Sequence, residues 1–82
     1  MWKAKIQVTL KKSVLDPQGV AVEKALKTLN YSNVGDVRVG KYLEVSVDGK
    51  DREEVEGQIR DMCDRLLTNP VIEDYTFEVT EV

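Results

Sequence analysis

From Trp2 to Lys11 apolar and polar residues alternate without a break: Trp2, Ala4, Ile6, Val8 and Leu10 against Lys3, Lys5, Gln7, Thr9 and Lys11. A period of two sustained over that length describes a strand with one buried face and one wet face. Such a strand cannot stand alone, because its dry face needs a covering layer.

The rest of the chain supplies candidates. Lys11 to Leu15 reads as a connecting loop, and Asp16-Pro17 as a helix start. The carboxylate can cap free N–H groups, and proline suits the first helical position, where no donor is needed. Val22, Ala25, Leu26 and Leu29 then share one helical stripe. Asn30, Ser32, Asn33 and Gly35 interrupt it. Alternation resumes at Val37 and Val39, and again at Leu43, Val45 and Val47, which predicts two strands meeting near Gly40-Lys41 or one long bent strand. Gly40 is expected to supply a positive φ at a turn or bulge. A second helix opens at Asp51, three residues before Glu54 in a variant of the capping box. Its stripe runs Val55, Ile59, Met62, Leu66, and Asn69-Pro70 ends it. Tyr75, Phe77 and Val79 alternate with polar residues in a last strand.

The order β-α-β-β-α-β predicts an α+β fold: a ferredoxin-like two-layer sandwich, with an antiparallel sheet and both helices on one face. The first and last strands are then neighbours, and their wet faces set Lys3, Lys5 and Lys11 near Asp74 and Glu78. The 82 residues are read as a single domain spanning 1–82. A chain this short buries only about 60–65% of its unfolded surface, so its stability margin is thin. With one Cys and no His it has no internal disulfide and no zinc ligand set, which leaves oligomerisation as the expected reinforcement. Exchange of segments between copies is compatible with an exposed first or last strand.

Composition excludes several functions. The net charge of −3 gives no general attraction to nucleic acid. The apolar runs are too short to cross about 30 Å of hydrocarbon, so no membrane partner is expected. The N-terminal residues lack the apolar core of a signal peptide, and together with the free Cys this points to a cytoplasmic location.

No cluster of side chains has the makings of a catalytic centre. Cys63 has no His to activate it, and Asp61 and Asp64 disfavour a thiolate, so it reads as a small apolar residue beside Ile59 and Met62. Asp51, Glu53, Glu54 and Glu56 lack calcium-loop spacing and suit the positive end of a helix. Lys11-Lys12 before Pro17-Gln18-Gly19 resembles an anion site, but Asp16 competes for the same donors and a phosphate-loop glycine pattern is missing. Arg38, Lys41 and Tyr42 make a small basic and aromatic group that reads as a simple exposed hairpin, with a protein contact as the alternative. The loop Lys11–Leu15 contains no Arg, which argues against an acylphosphatase-like hydrolase. No catalytic, cofactor-binding or metal residue is therefore assigned. The positions marked for subunit contact or a structural motif are Asp16, Pro17, Gln18, Gly19, Arg38, Gly40, Lys41, Asn69 and Pro70.

Three segments carry a family likeness: Val14-Leu15-Asp16-Pro17-Gln18-Gly19, Val37-Arg38-Val39-Gly40-Lys41-Tyr42-Leu43-Glu44, and Met62 through Tyr75 with Thr-Asn-Pro-Val-Ile-Glu-Asp-Tyr at its end. They resemble the PurS family, the small subunit of bacterial phosphoribosylformylglycinamidine synthase, over essentially the whole chain. Thr68 stands where the family often has Ala. The resemblance implies a non-catalytic assembly subunit in de novo purine synthesis. In that reaction a glutaminase subunit releases ammonia, and a synthetase subunit holding ATP and magnesium converts formylglycinamide ribonucleotide to the amidine. The small subunit is implied to form dimers or tetramers, to bridge the other two, and to support ammonia transfer. The alternative, drawn from fold alone, is a free-standing dimeric ferredoxin-like domain that binds a small anionic effector.

Overall fold

The computed structural model describes residues 1–82. Its elements run β1 (Trp2–Leu10), α1 (Pro17–Thr28), β2 (Gly40–Val47), α2 (Arg52–Met62) and β3 (Glu73–Glu81), with a five-residue π-helical turn at Cys63–Leu67 continuing α2. The sheet is antiparallel in the order β2-β1-β3, so the alternating N-terminal strand lies in the middle. The α+β class and the ferredoxin-like arrangement are as expected, built on three strands.

The missing fourth strand is instructive. Val37 and Val39 belong to an irregular segment, and regular pairing begins at Gly40, which faces Thr9. Nor does Gly40 adopt a positive φ, since no glycine here does. Its lack of a side chain serves close packing instead: a Cβ would fall 2.2 Å from the carbonyl oxygen of Val8 and 2.8 Å from Cγ2 of Thr9. The left-handed residue is Asn30, at φ 75°. It ends α1 in a Schellman arrangement, with Tyr31 N donating to Leu26 O and Asn30 N to Lys27 O.

The core forms where β1 meets α2. Trp2, Ala4, Ile6 and Val8 bury their side chains beneath Val55, Ile59 and Cys63, with Val79 of β3 beside them. Each fully buried aliphatic side chain contributes about 1.5–3 kcal/mol. Asp51 caps α2 through Glu54 N at 2.9 Å, while the Glu54 carboxylate accepts from Lys50 N at 3.0 Å. That is the predicted box with its return bond moved one residue upstream. Trp2 Nε1 donates to Gly49 O at 3.1 Å, so the indole is buried without an orphaned donor.

The predicted α2 stripe holds through Met62 and then fails. Leu66 is 83% exposed, while Cys63 and Leu67 meet the core. The π-helical turn explains the change. Thr68 N donates to Cys63 O, five residues back, and the extra residue in the turn rotates the following side chains out of α-helical phase. The Thr68 hydroxyl reinforces that turn by donating to the same carbonyl at 2.7 Å. Thr68 is buried, so this residue has work that an Ala would leave undone.

On the wet face of the sheet Lys5 lies opposite both Glu44 and Glu78, as the sign pattern predicts for β1 and β3. Lys3 pairs with Glu44 at 2.9 Å. Asp74 lies opposite Thr9, and Lys11 is beyond the end of β1.

Candidate functional site

Two of the three marked segments fold into one unit, although Asp16 and Arg38 are far apart in sequence. Asp16 is the N-cap of α1, and its Oδ1 accepts from Gly19 N at 3.0 Å, as the Asp-Pro start predicts. Its Oδ2 is equally occupied: Val39 N donates to it at 2.8 Å. One carboxylate thus ties the first turn of a helix to the segment that leads into β2. The bonds from Val39 and Gly19, in that order, hold the carboxyl below its ordinary value, and the Arg38 charge acts in the same direction.

Arg38 closes the same unit from the other side. Nη1 donates to Val14 O and Nη2 to Lys12 O, both at 2.9 Å, and Nε lies 3.7 Å from Asp36. A guanidinium is suited to this because its planar fork can hold two carbonyls at once. Gly19 completes the arrangement. A Cβ there would sit 2.1 Å from Val37 O, so the helix approaches the Val37 backbone as closely as it does only because the residue is glycine.

The other marked residues take simpler positions. Pro17 is the first residue of α1. Asp16, Pro17, Gln18, Gly40, Lys41 and Glu73 line a shallow cleft of about 330 Å³ beside the unit. Asn69 and Pro70 lie apart from it, in the turn between the π-helical segment and β3. There Asn69 Oδ1 accepts from Val71 N at 3.1 Å, and Glu73 Oε1 accepts from Asn69 N at 2.7 Å. Asn69-Pro70 is a structural turn, as its helix-stop reading implies.

The chemistry of the unit is that of support. Gly19 N is already engaged by Asp16, and both terminal nitrogens of Arg38 are engaged by carbonyls. An anion arriving at this helix end would have to compete with the Asp16 carboxylate for Gly19 N. Cys63 is fully buried, and burial, followed by the nearby Asp64 charge, raises its thiol above the ordinary range. No three His, Cys, Asp or Glu side chains are gathered as metal ligands. No helix is long and apolar enough to cross a membrane. What pattern reading missed is the second bond of Asp16, because nothing local signals a backbone donor in a distant loop.

The surface around this unit is unusually open. Along α1 only Gly19 is buried, and the predicted apolar stripe leaves Val22 42% and Leu29 65% exposed. The radius of gyration is 16.2 Å, against about 12 Å for a compact chain of this length. The accessible surface is 5973 Å², against about 5,000 Å² expected for 9.3 kDa.

Comparison with known proteins gives this shape a context. The profile of the family PurS, described as phosphoribosylformylglycinamidine (FGAM) synthase, matches residues 3–81. The phosphoribosylformylglycinamidine synthase subunit PurS of Bacillus subtilis is 51% identical over 82 residues, spanning 100% of this chain and 96% of the relative. A solved structure of B. subtilis PurS superposes with a TM-score of 0.87, covering 99% of this chain and 100% of that one. PurS of Methanocaldococcus jannaschii, one of the subunits of formylglycinamide ribonucleotide amidotransferase, superposes at 0.89 with 36% identity, covering 100% and 99%. A chain in the structure of PurLQS from Thermotoga maritima superposes at 0.88 with 29% identity over 96% of each. With its profile, length and fold all in agreement, the chain belongs to the PurS family of phosphoribosylformylglycinamidine synthase subunits.

Proposed function

We propose that this chain, acting as one domain over residues 1–82, is the non-catalytic assembly subunit of a phosphoribosylformylglycinamidine synthase. It pairs with itself and bridges the glutaminase and synthetase subunits, so that ammonia released at one site reaches the other without escaping to solvent. The observation that carries this reading is the excess of exposed surface. About 1,000 Å² more than a compact chain of this mass is what one partner contributes to a standard protein interface, about 800 Å². Part of it is the apolar stripe that α1 leaves uncovered at Val22 and Leu29.

A second copy is the first occupant of that stripe, with α1 exchanged onto the partner's sheet, because a symmetric pair covers both exposed stripes at once. The purine chemistry, with ATP and magnesium, belongs to the synthetase subunit. A cytoplasmic location fits a free thiol kept buried and reduced.

The decisive experiment is glutamine-dependent ADP release by the glutaminase and synthetase subunits of the same organism, with and without this chain. Strong dependence that saturates at a fixed ratio supports the proposal. Full activity without the chain, with no co-elution in gel filtration, refutes it.

A further inference from the structure

Helix α1 joins the rest of the molecule through two connections, residues 11–16 before it and residues 29–39 after it. Neither contains a helix or strand of its own. Twelve residues of helix are marginal in water without tertiary packing, and the apolar stripe of α1 is largely uncovered. Two unsupported connections would let such a helix swing freely. Here they are bound to each other instead, through the paired bonds of Arg38 and of Asp16 and the close approach of Gly19 to Val37.

We infer that Asp16, Gly19 and Arg38 form a rigid joint that sets the direction of α1, so that the helix is a preformed arm before any partner arrives. They are positioning residues: they act through the arm, and the arm makes the contact. The effect on association follows from ordering entropy. A loose arm must be immobilised at each encounter, and that cost is taken from affinity; an arm already held in place loses little on binding. The joint bonds are internal to the chain, so its residues act on assembly without touching the partner.

This inference rests on the self-association proposed above, and one experiment separates the two. Sedimentation of the full-length chain over a concentration series gives its self-association constant, and amide hydrogen exchange at Val39 reports the joint. Joint variants are Arg38→Ala, the milder Arg38→Lys, and Asp16→Asn. Arm-face variants are Val22→Asp and Leu29→Asp. Joint variants are expected to keep exchange protection in β1, to lose it at Val39, and to associate at least ~10-fold more weakly. Arg38→Lys should fall between wild type and Arg38→Ala, because an ammonium cannot hold both carbonyls as a guanidinium does. Arm-face variants should weaken association while Val39 stays protected.

Loss of Val39 protection with unchanged association overturns the inference alone, and so does retention of that protection in every joint variant. A wild-type chain that is monomeric throughout, or arm-face variants that associate normally, overturns the self-association reading beneath it.

Discussion

Gly19 and Gly57 both lie in helices, yet replacing each by alanine should move stability in opposite directions. Gly57 sits within α2 with nothing within 4 Å of the position its Cβ would take. Gly57→Ala therefore collects the helix-propensity difference undiminished, about 0.8–1.0 kcal/mol. For a domain of this size that is a rise in Tm of roughly 3–8 °C. Gly19→Ala meets Val37 O at 2.1 Å and Asp16 Oδ2 at 3.0 Å, and the first of these is backbone. Relief requires α1 and the Val37 segment to part by about 1 Å, at an overpacking cost of about 1–3 kcal/mol. Subtracting the propensity gain of about 0.8–1.0 kcal/mol leaves a net loss of about 0–2 kcal/mol, so Tm falls by up to roughly 16 °C. The assay is thermal unfolding followed by circular dichroism at one fixed chain concentration, because association shifts Tm by mass action. A Gly19→Ala variant that gains stability as Gly57→Ala does would show that the Val37 segment yields freely, and the close approach would lose its structural meaning.

Ile59→Ala removes a fully buried side chain from the contact between α2 and β1, and urea unfolding should show a loss of about 2–5 kcal/mol. Thr68→Ala deletes the buried hydroxyl bond to Cys63 O while the backbone bond to that carbonyl survives, so the same assay should read about 1 kcal/mol. Asp16 has a carboxyl held below its ordinary value of 3.8 by Val39 and Gly19, with Arg38, Asp36, Glu23 and Lys12 as its charged surroundings. Its stabilisation is fully present above that ordinary value and is lost as pH falls through the lower folded value. Acid unfolding should therefore flatten in Asp16→Asn; an unchanged acid limb would remove Asp16 as a source of pH dependence. Cys63 should resist a thiol reagent in the folded chain and react only on unfolding, which time-resolved labelling with and without denaturant checks.

Where regular periodicity governs, pattern and structure agree closely. Alternation placed β1 and β3, and the apolar spacing placed α2, because each reflects the backbone geometry of a single element facing a single core. Agreement stops where a contact joins elements. Val37 and Val39 alternate like a strand, yet their segment is committed to the joint: Val39 N goes to a carboxylate and Val37 O lies against Gly19. Leu66 continues a faultless stripe on paper, but one π-helical turn shifts the phase. At Asp16 the cap was legible, since it reaches three residues along the chain, whereas its bond to Val39 was not. Arg38 reads as a surface cation for the same reason, as its carbonyl partners carry no side-chain signal.

The placement of β1 in the middle of the sheet bears on how the chain is made. β1 precedes both of the strands it needs, and Trp2 faces Glu81 across the ladder with β3. Until β3 has left the ribosome, β1 has a row of open hydrogen-bonding groups and an apolar face that only α2 can partly cover. The sheet is therefore completed only when this long-range ladder closes, and until then the open edge of β1 is the part of the chain most prone to pairing with the wrong strand.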